Sequence, residues 1–258
     1  MTNNMINHIE GTHYNDHLLG THYDDHIKGK GGNDTLEGLG GDDTLKGGDG
    51  HDLLYGGHGY DLLKGDRGND WLYGGHDYDT LKGGDGNDYL YGGYGDDLLK
   101  GNDGHDKLYG EYGNDTLKGG KGDDLLYGGT GHDELKGEHG HDILVGVDTS
   151  FGYGEGERDT LHGGKGEDTF VLGEQHHFFY GGHGDHDYAK IKDYNFHEDI
   201  IQLAHGFEYY LGSAPNHHHS AGIFVREHSS HEYELIGIVE GVNSHDLNLN
   251  NSNQFHFV

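Results

Sequence analysis

Aliphatic side chains recur at every ninth position through the first half of a chain that is otherwise polar. A glycine stands seven residues before each of these positions, and an aspartate stands two residues before it. These three residues define a nonapeptide with glycine at position one, aspartate at position six and an aliphatic residue at position eight. The nonapeptide is repeated fifteen times between Gly11 and Val145. The aliphatic series is Leu18, Ile27, Leu36, Leu45, Leu54, Leu63, Leu72, Leu81, Leu90, Leu99, Leu108, Leu117, Leu126, Leu135 and Leu144. So regular a repeat predicts a stacked architecture in place of a conventional globular fold.

Within each nonapeptide, positions one to six are glycine-rich and polar and predict a loop, whereas positions seven to nine predict a very short strand. Side chains alternate between the two faces of a strand, so only position eight points inward. Glycine at position four, as at Gly50 and Gly59, suits a backbone with a positive φ angle. One buried aliphatic residue per unit forms a core only if two units make one turn and the turns stack. The sequence therefore predicts an all-β protein, a parallel β-roll with two sheets and eighteen residues per turn.

Position nine supports this geometry, because its residue type alternates with a period of eighteen. The two series are Lys28, Lys46, Lys64, Lys82, Lys100, Lys118 and Lys136 on one sheet, and Tyr55, Tyr73, Tyr91, Tyr109 and Tyr127 on the other. Stacked tyrosines suit an exposed parallel ladder by cross-strand packing alone. A contiguous aromatic face also predicts a surface for self-association or for an extracellular partner. For the lysines, the alkyl stems cover the sheet while the charges offset nearby aspartates.

The aspartates at position six predict bound cations. Stacked strands lie about 4.8 Å apart, and two carboxylates at that distance repel by about 1 kcal/mol in water and by roughly 3–4 kcal/mol at an effective dielectric near 20. A cation between the loops removes this repulsion. Carboxylates and turn carbonyls are hard oxygen ligands, and a flexible cage of such oxygens suits Ca²⁺ better than Mg²⁺.

At this point the repeats resemble a known family. Segments such as Gly83–Asp88, followed by Tyr89-Leu90-Tyr91, are similar to the GGxGxDxUx repeats of RTX (repeats-in-toxin) proteins, a calcium-binding nonapeptide. The resemblance implies Ca²⁺ between adjacent turns, held by the position-six aspartates and by backbone carbonyls of the glycine loops. The expected aspartates are Asp34, Asp43, Asp52, Asp61, Asp70, Asp79, Asp88, Asp97, Asp106, Asp115, Asp124, Asp133, Asp142, Asp159 and Asp168. The expected loop glycines are Gly47, Gly50, Gly56, Gly59, Gly83, Gly86, Gly92, Gly95, Gly119, Gly122, Gly128 and Gly131.

Composition agrees with folding that depends on cations. The chain has 52 Gly, one Pro, 31% hydrophobic residues and a formal net charge of −31. Low hydrophobicity with high net charge is typical of disordered chains, but disorder does not require an aliphatic residue at every ninth position. Fifteen loops divide into eight on one side and seven on the other, which allows at most thirteen sites between loops. Thirteen Ca²⁺ would bring 26 positive charges against the net charge of −31.

The two ends of the repeat region depart from the pattern. Residues 1–10 predict an N-terminal cap, with Ile9 in the inward column. The first two repeats have Tyr14 and Tyr23 where position four requires glycine, so we expect weak or absent calcium sites there. A calcium site at the loop that begins at Gly74 is also doubtful, because Asp77 stands there at position four in place of glycine.

After Val145 the register breaks. Residues 146–153 are an insertion, and two more repeats begin at Gly154 and Gly163, so that residues 146–173 form one segment. The stretch 152–161 resembles the junction before the C-terminal cap of cyanobacterial-type RTX proteins, and the stretches 187–196 and 198–203 resemble the cap itself. Residues 174–258 therefore predict a β-rich capping and secretion-signal domain. Its expected strands are 188–194, 199–204, 222–227, 233–240 and 254–258.

The functional prediction is a secreted calcium-binding module with a structural or interaction role. We find no H-E-x-x-H, G-x-S-x-G, P-loop or EF-hand motif, and the 26 histidines are expected mainly at exposed loop tips. Two alternatives stay open. One is the C-terminal fragment or a variant of a secreted RTX enzyme with its activity in residues 174–258, and the other is a His-rich protein that binds a transition metal through histidines such as His217, His218 and His219.

The location is predicted partly from the residues and partly from the resemblance. The N-terminus lacks the basic and apolar regions of a cleaved signal peptide, and RTX resemblance implies type I secretion with an uncleaved C-terminal signal. A chain with a net charge of −31 is expected to bind neither nucleic acid nor an anionic membrane. The absence of cysteine excludes disulfides and thiolate metal sites.

Overall fold

A computed structural model describes residues 6–147, 157–174, 177–180, 187–226 and 233–258. These residues contain no helix, and most of them lie in strands. The strands of the repeat region are β1 (Asn7–Glu10), β2 (His17–Leu19), β3 (Asp25–Gly31), β4 (Thr35–Gly40), β5 (Thr44–Asp49), β6 (Leu53–His58), β7 (Leu62–Arg67), β8 (Trp71–His76), β9 (Thr80–Asp85), β10 (Tyr89–Tyr94), β11 (Leu98–Asp103), β12 (Lys107–Tyr112), β13 (Thr116–Lys121), β14 (Leu125–Thr130), β15 (Glu134–His139), β16 (Ile143–Val147), β17 (Arg158–Lys165) and β18 (Thr169–Val171). The later strands are β19 (Gly173–Glu174), β20 (His177–Phe178), β21 (Tyr188–Ile191), β22 (Ile200–Leu203), β23 (Glu208–Ser213), β24 (Ala221–Arg226), β25 (Glu234–Val239) and β26 (Phe255–Phe257).

Two parallel sheets form a β-solenoid, as the nine-residue pattern predicts. The odd-numbered strands β1 to β17 follow one another in one sheet, and the even-numbered strands β2 to β18 follow one another in the second. From β1 to β16, paired strands are parallel and eighteen residues apart in sequence, so that Leu72 lies beside Leu90 and Leu90 beside Leu108. One turn of the roll is therefore two nonapeptides.

The strands are longer than the sequence predicts. The pattern predicts strands of three residues at positions seven to nine, but most strands of the roll have six, such as Leu53–His58 and Leu62–Arg67. They continue through positions one to three of the next repeat, because the parallel pairing continues there, as between Gly57 and Gly75. Only about three residues per repeat are left for the turn between the sheets.

The core of the roll is the column of position-eight residues between the sheets. From Ile27 to Leu144 each of these side chains is fully buried. At the N-terminal end Leu18 and Ile9 are only partly buried against the same core. Since burying a leucine contributes roughly 1.5–3 kcal/mol relative to leaving it exposed, the column supplies most of the apolar stabilisation of the roll.

The register change after Val145 is confirmed where the structure describes it. Leu161 lies beside Leu135, 26 residues earlier in the chain, which is one turn plus an eight-residue insertion. Residues 148–153 of the predicted insertion and Gly154, the predicted start of the next repeat, lie outside the described residues. The same is true of residues 1–5 of the predicted N-terminal cap.

The C-terminal region continues both sheets of the roll. Strand β21 pairs with β17, and β25 then pairs with β21; β22 pairs with β18, and β26 with β22. All five predicted strands of this region are present, with slightly different bounds. The structure adds β23, an antiparallel neighbour of β24 at the end of the first sheet. The sheet edge at this end of the roll is therefore covered by later strands of the same chain.

Candidate metal sites along the roll

The position-six aspartates form two columns, one on each side of the roll, at the start of the strands of each sheet. Nearly all of them are buried, with 0–3% of their surface exposed from Asp25 to Asp168. Each is fixed by its neighbour: the backbone N–H of Asp52 donates to Oδ1 of Asp70 at 2.7 Å, and that of Asp70 donates to Oδ1 of Asp88 at 2.8 Å. The same bond recurs along both columns from Asp34 onward, so each of these carboxylates has one oxygen held by the preceding turn. Asp25, at the start of its column, has no such bond, and its Oδ1 is buried without a partner.

The second carboxylate oxygen has no hydrogen-bond partner in most of these aspartates. The described residues whose Oδ2 atom is buried without a partner are Asp34, Asp43, Asp52, Asp61, Asp70, Asp79, Asp88, Asp97, Asp106, Asp115, Asp124, Asp133, Asp142 and Asp168. Buried polar atoms are nearly always hydrogen-bonded, and a buried charge without a partner is costly. A column of such oxygens is therefore suited to a bound cation.

The pKa values of these buried carboxyl groups are raised. Burial is the largest cause, negative neighbours in the column add to it, and the backbone hydrogen bond to Oδ1 opposes it. The pKa rises to about 8 for Asp79, Asp88, Asp115 and Asp124, and to about 9 for Asp133. It rises to about 7 for Asp43, Asp52, Asp61 and Asp142, and to about 6 for Asp70, Asp97 and Asp106. Without a cation, burial therefore disfavours the ionised form of these carboxyl groups.

Backbone carbonyls converge on the same place as the unpartnered oxygens. An ideal Cβ atom on Gly92, at position one, would lie 2.5 Å from Oδ2 of Asp97 and 2.7 Å from the carbonyl oxygen of Gly110 one turn later. Glycine at position one is therefore needed to keep this space free. At position four, Gly122 has a φ of 111°, and a Cβ there would overlap the carbonyl oxygen of Gly104. The loops bring together carboxylate and carbonyl oxygens, the hard donors that Ca²⁺ prefers.

No group of three or more His, Cys, Asp or Glu side chains converges on a common point in the described ranges. Each site in the columns combines aspartate with backbone carbonyls instead. The histidines at 217, 218 and 219 line a cavity of about 350 Å³ together with His245, but they do not form such a group.

The first two repeats differ from the interior. Oδ2 of Asp25 accepts hydrogen bonds from the backbone N–H of Thr21 at 2.6 Å and from its Oγ1 at 3.1 Å. Thr12 makes the same two bonds to Asp16, at 2.6 and 2.9 Å. The sequence predicts weak sites here because of Tyr14 and Tyr23, whereas the structure shows the position-two threonines as partners of the carboxylates.

Asp159 also differs from the interior aspartates with which the sequence grouped it. Its Oδ2 accepts a hydrogen bond from the hydroxyl of the buried Tyr180 at 2.6 Å. In the doubtful loop at Gly74, by contrast, Asp79 keeps an unpartnered Oδ2. Asp77 there adopts a φ of 79°, as the glycine it replaces would.

A second ladder runs along the tips of the turns, and sequence reasoning missed it. The side chain at position five accepts a hydrogen bond from the backbone N–H of the position-five residue one turn later. Nδ1 of His51 accepts from the backbone N–H of Asn69 at 2.7 Å, and Nδ1 of His105 accepts from that of Asp123 at 2.8 Å. Asn87 does the same through Oδ1 for His105. The frequency of Asn, Asp and His at position five was the signal, since all three have an acceptor at the required reach.

The two outer faces carry the predicted ladders. The Tyr face (Tyr55, Tyr73, Tyr91, Tyr109 and Tyr127) has successive rings stacked with centroids 4.9–5.3 Å apart. Trp71 and Tyr89 stack beside it at 4.4 Å. On the other sheet, Lys46 pairs with Asp66 and Lys136 with Glu134, both at 2.9 Å. The described residues include no helix long and apolar enough to cross a membrane.

Comparison with known proteins agrees with this geometry. The model of the RTX calcium-binding nonapeptide repeat (four copies) matches overlapping segments from residue 10 to residue 147, and matches again at 151–176. A search of curated proteins finds no match. The solution structure of the AlgE6R3 subunit from the Azotobacter vinelandii mannuronan C5-epimerase is similar at 19% sequence identity, covering 71% of this chain and 78% of that chain, with a TM-score of 0.26.

Proposed function

This chain belongs to the family of proteins built from RTX calcium-binding nonapeptide repeats, and from that premise we propose that its roll folds by binding several Ca²⁺ ions between stacked loops. The observation that carries the proposal is the set of buried Oδ2 atoms without partners in both columns. When bound, Ca²⁺ supplies positive charge and accepts these oxygens as ligands. Metal binding and folding then share one free energy.

The residues that would hold the ions are the aspartates and glycines predicted from the sequence, except Asp159, whose Oδ2 already accepts a hydrogen bond from Tyr180. Each position-six aspartate would offer Oδ2, since Oδ1 is already bound to the preceding turn. The loop glycines would offer carbonyl oxygens, as at Gly92 and Gly128. The proposed maximum is one ion between each pair of neighbouring loops, up to about thirteen. The structural role is to set the loop spacing and to neutralise the columns.

Comparison of an interior aspartate with a terminal one tests this proposal. Asp88→Asn keeps an acceptor at Oδ1 but removes the charge of an unpartnered Oδ2. Because calcium affinity depends on the charge of its ligands, we expect Asp88→Asn to weaken Ca²⁺ binding by about tenfold or more at the sites beside it. Asp16→Asn is the control, because Thr12 already binds Oδ2 of Asp16 and neither oxygen of Asp16 is buried without a partner. Isothermal titration calorimetry gives affinity and stoichiometry for both variants; equal effects would contradict the proposal.

We further propose an extracellular, secreted location. The RTX resemblance implies secretion, and a chain that folds on binding Ca²⁺ stays unfolded where Ca²⁺ is scarce and folds where it is abundant. Type I secretion through a signal in residues 174–258 is part of this proposal. The proposed domains are 1–10, 11–145, 146–173 and 174–258, with a structural or interaction role and no catalytic one.

A further inference from the structure

The last turn of the roll carries buried carboxylates that the nonapeptide pattern does not place. Glu157 stands directly before β17, at position four, where most repeats have glycine. Its carboxylate accepts a hydrogen bond from the backbone N–H of Gly131, the position-four glycine one turn earlier, but its Oε2 is buried without a partner among the described residues. Asp187, directly before β21, is fully buried, and neither of its carboxylate oxygens has a partner there. This turn therefore has three free acceptor oxygens on two residues outside position six.

The strand register places Glu157 beside Asp187. Strands β17 and β21 are parallel, and Asp159 pairs with Ala189, two residues further along each strand. The backbone N–H of Tyr188 donates to the carbonyl oxygen of Glu157 at 3.1 Å, so the pairing extends to this point. Because side chains alternate along a strand, Glu157 and Asp187 point to the same side as the buried Asp159 and Ala189. The charges of Asp159 and Asp187 both act on the Glu157 carboxyl group, which agrees with this placement.

Alanine replaces the position-six aspartate where the C-terminal region joins the roll. Ala189 lies beside Asp159, at the place of the next aspartate of the column. Both oxygens of Asp159 have partners, because the backbone N–H of Asp133 donates to Oδ1 at 2.9 Å and the hydroxyl of Tyr180 donates to Oδ2 at 2.6 Å. The free acceptors at this end have therefore moved two residues towards the N-terminal ends of the strands, from position six to position four.

Three buried oxygens on two neighbouring carboxylates are suited to a hard divalent cation. A buried charge without a partner is costly, and two carboxylates on adjacent strands repel each other. Ca²⁺ accepts carboxylates with one or both oxygens in a flexible geometry, whereas Mg²⁺ requires a nearly ideal octahedron and usually keeps several waters. Such a site needs no third acidic side chain, in agreement with the lack of a converging group of three in the described ranges.

We propose that Glu157 and Asp187 hold one further Ca²⁺ ion, at a site outside the ligand pattern of the nonapeptides. The proposal goes beyond the proposed function, because its ligands are not position-six aspartates. Glu157 belongs to the last turn of the first sheet, and Asp187 leads into the strand of the C-terminal region that pairs with that turn. The ion would therefore fasten β21 to β17 and join the C-terminal region to the roll.

Native mass spectrometry of the full chain in Ca²⁺ counts the bound ions and tests this proposal. Glu157→Gln and Asp187→Asn should each bind one Ca²⁺ fewer than the wild type. The double variant should also lose one ion and not two, because the two residues share it. Glu167→Gln is the matched control, since it removes the charge of an exposed glutamate near the same end of the roll, and it should lose none. No loss in the single variants, a loss of two in the double variant, or an equal loss in the control would overturn the proposal.

Diffraction from wild-type crystals grown in Ca²⁺ keeps the test decisive if a variant folds poorly. We expect an anomalous difference peak about 2.3–2.6 Å from carboxylate oxygens of Glu157 and Asp187. Peaks in the repeat loops with none at Glu157 and Asp187 would overturn this proposal alone. A peak at Glu157 and Asp187 with none in the loops would overturn the proposed function alone, and the absence of all peaks would overturn both.

Discussion

At the scale of single residues, the position-six aspartate uses its two oxygens for different purposes. Oδ1 holds the preceding turn through a backbone N–H, as between Asp97 and Asp115 at 2.7 Å. Oδ2 is left without a partner in the interior and is bound by Thr21 or Tyr180 at the ends. The repeat thus uses one atom to fix the stack and, under the proposed function, leaves the other for a cation.

Position five offers a prediction that is independent of calcium. His105→Ala would remove the acceptor for the backbone N–H of Asp123 and is expected to destabilise the calcium-bound protein by about 0.5–1.5 kcal/mol, the usual net contribution of one hydrogen bond. His105→Asn should be close to neutral, because Asn69 and Asn87 make the same bond at this position. Thermal unfolding followed by circular dichroism measures both variants. An equal loss of stability in both would show that the acceptor has no role.

At the scale of elements, the two outer faces of the roll differ in what they present. The Tyr face is a continuous stack whose exposed members include Tyr55, with Trp71 exposed beside it. The lysine face includes ion pairs such as that between Lys46 and Asp66. Neither face is needed to close the core, because the position-eight column lies between the sheets.

The Tyr face predicts association through the sheet that carries it. The double variant Tyr73→Ser and Tyr91→Ser should reduce any oligomer seen by light scattering while leaving Ca²⁺ binding unchanged, because neither side chain touches the aspartate columns. Lys82→Ser with Lys100→Ser, on the opposite sheet, is the matched control. A wild type that stays monomeric at high concentration would remove the basis of this prediction.

At the scale of the whole molecule, the aspartate columns make the metal-free roll sensitive to pH. The unfolded chain titrates these groups near pH 4, whereas burial raises the pKa to about 6 for Asp70 and to about 9 for Asp133 in the folded chain. Stability from the protonated groups is therefore fully present below about pH 4. It falls as the pH rises and is lost once the pH has passed the folded pKa values.

We accordingly expect the chelated protein to retain more β-structure at pH 5 than at pH 9, because its stability falls between about pH 4 and pH 9. Saturating Ca²⁺ should abolish this dependence, since bound cations stabilise the ionised carboxylates. Far-UV circular dichroism across this pH range tests the pH dependence in chelator and its loss in the presence of Ca²⁺. Greater β-structure at pH 9 than at pH 5 in chelator would contradict the account.

The sequence predicted the roll well because its information is periodic. A buried aliphatic residue at every ninth position and lysines at every eighteenth determine the register between turns, and Lys82 does lie beside Lys100. What it could not predict depends on contacts between distant segments. Tyr180 reaches Asp159 only through the fold of the chain between them. Non-glycine residues such as Asn102 at position two adopt a positive φ, which the nine-residue pattern does not indicate.

The central claim is that Ca²⁺ completes the fold of the roll, and a calcium titration of the full chain at pH 8, followed by far-UV circular dichroism, tests it most directly. We predict a cooperative gain of β-structure with a Hill coefficient above one, because each ion orders a loop that also borders the next site, and little gain with Mg²⁺ at the same concentration. A β-sheet spectrum already complete in chelator at pH 8, or one that does not respond to Ca²⁺, would contradict the claim.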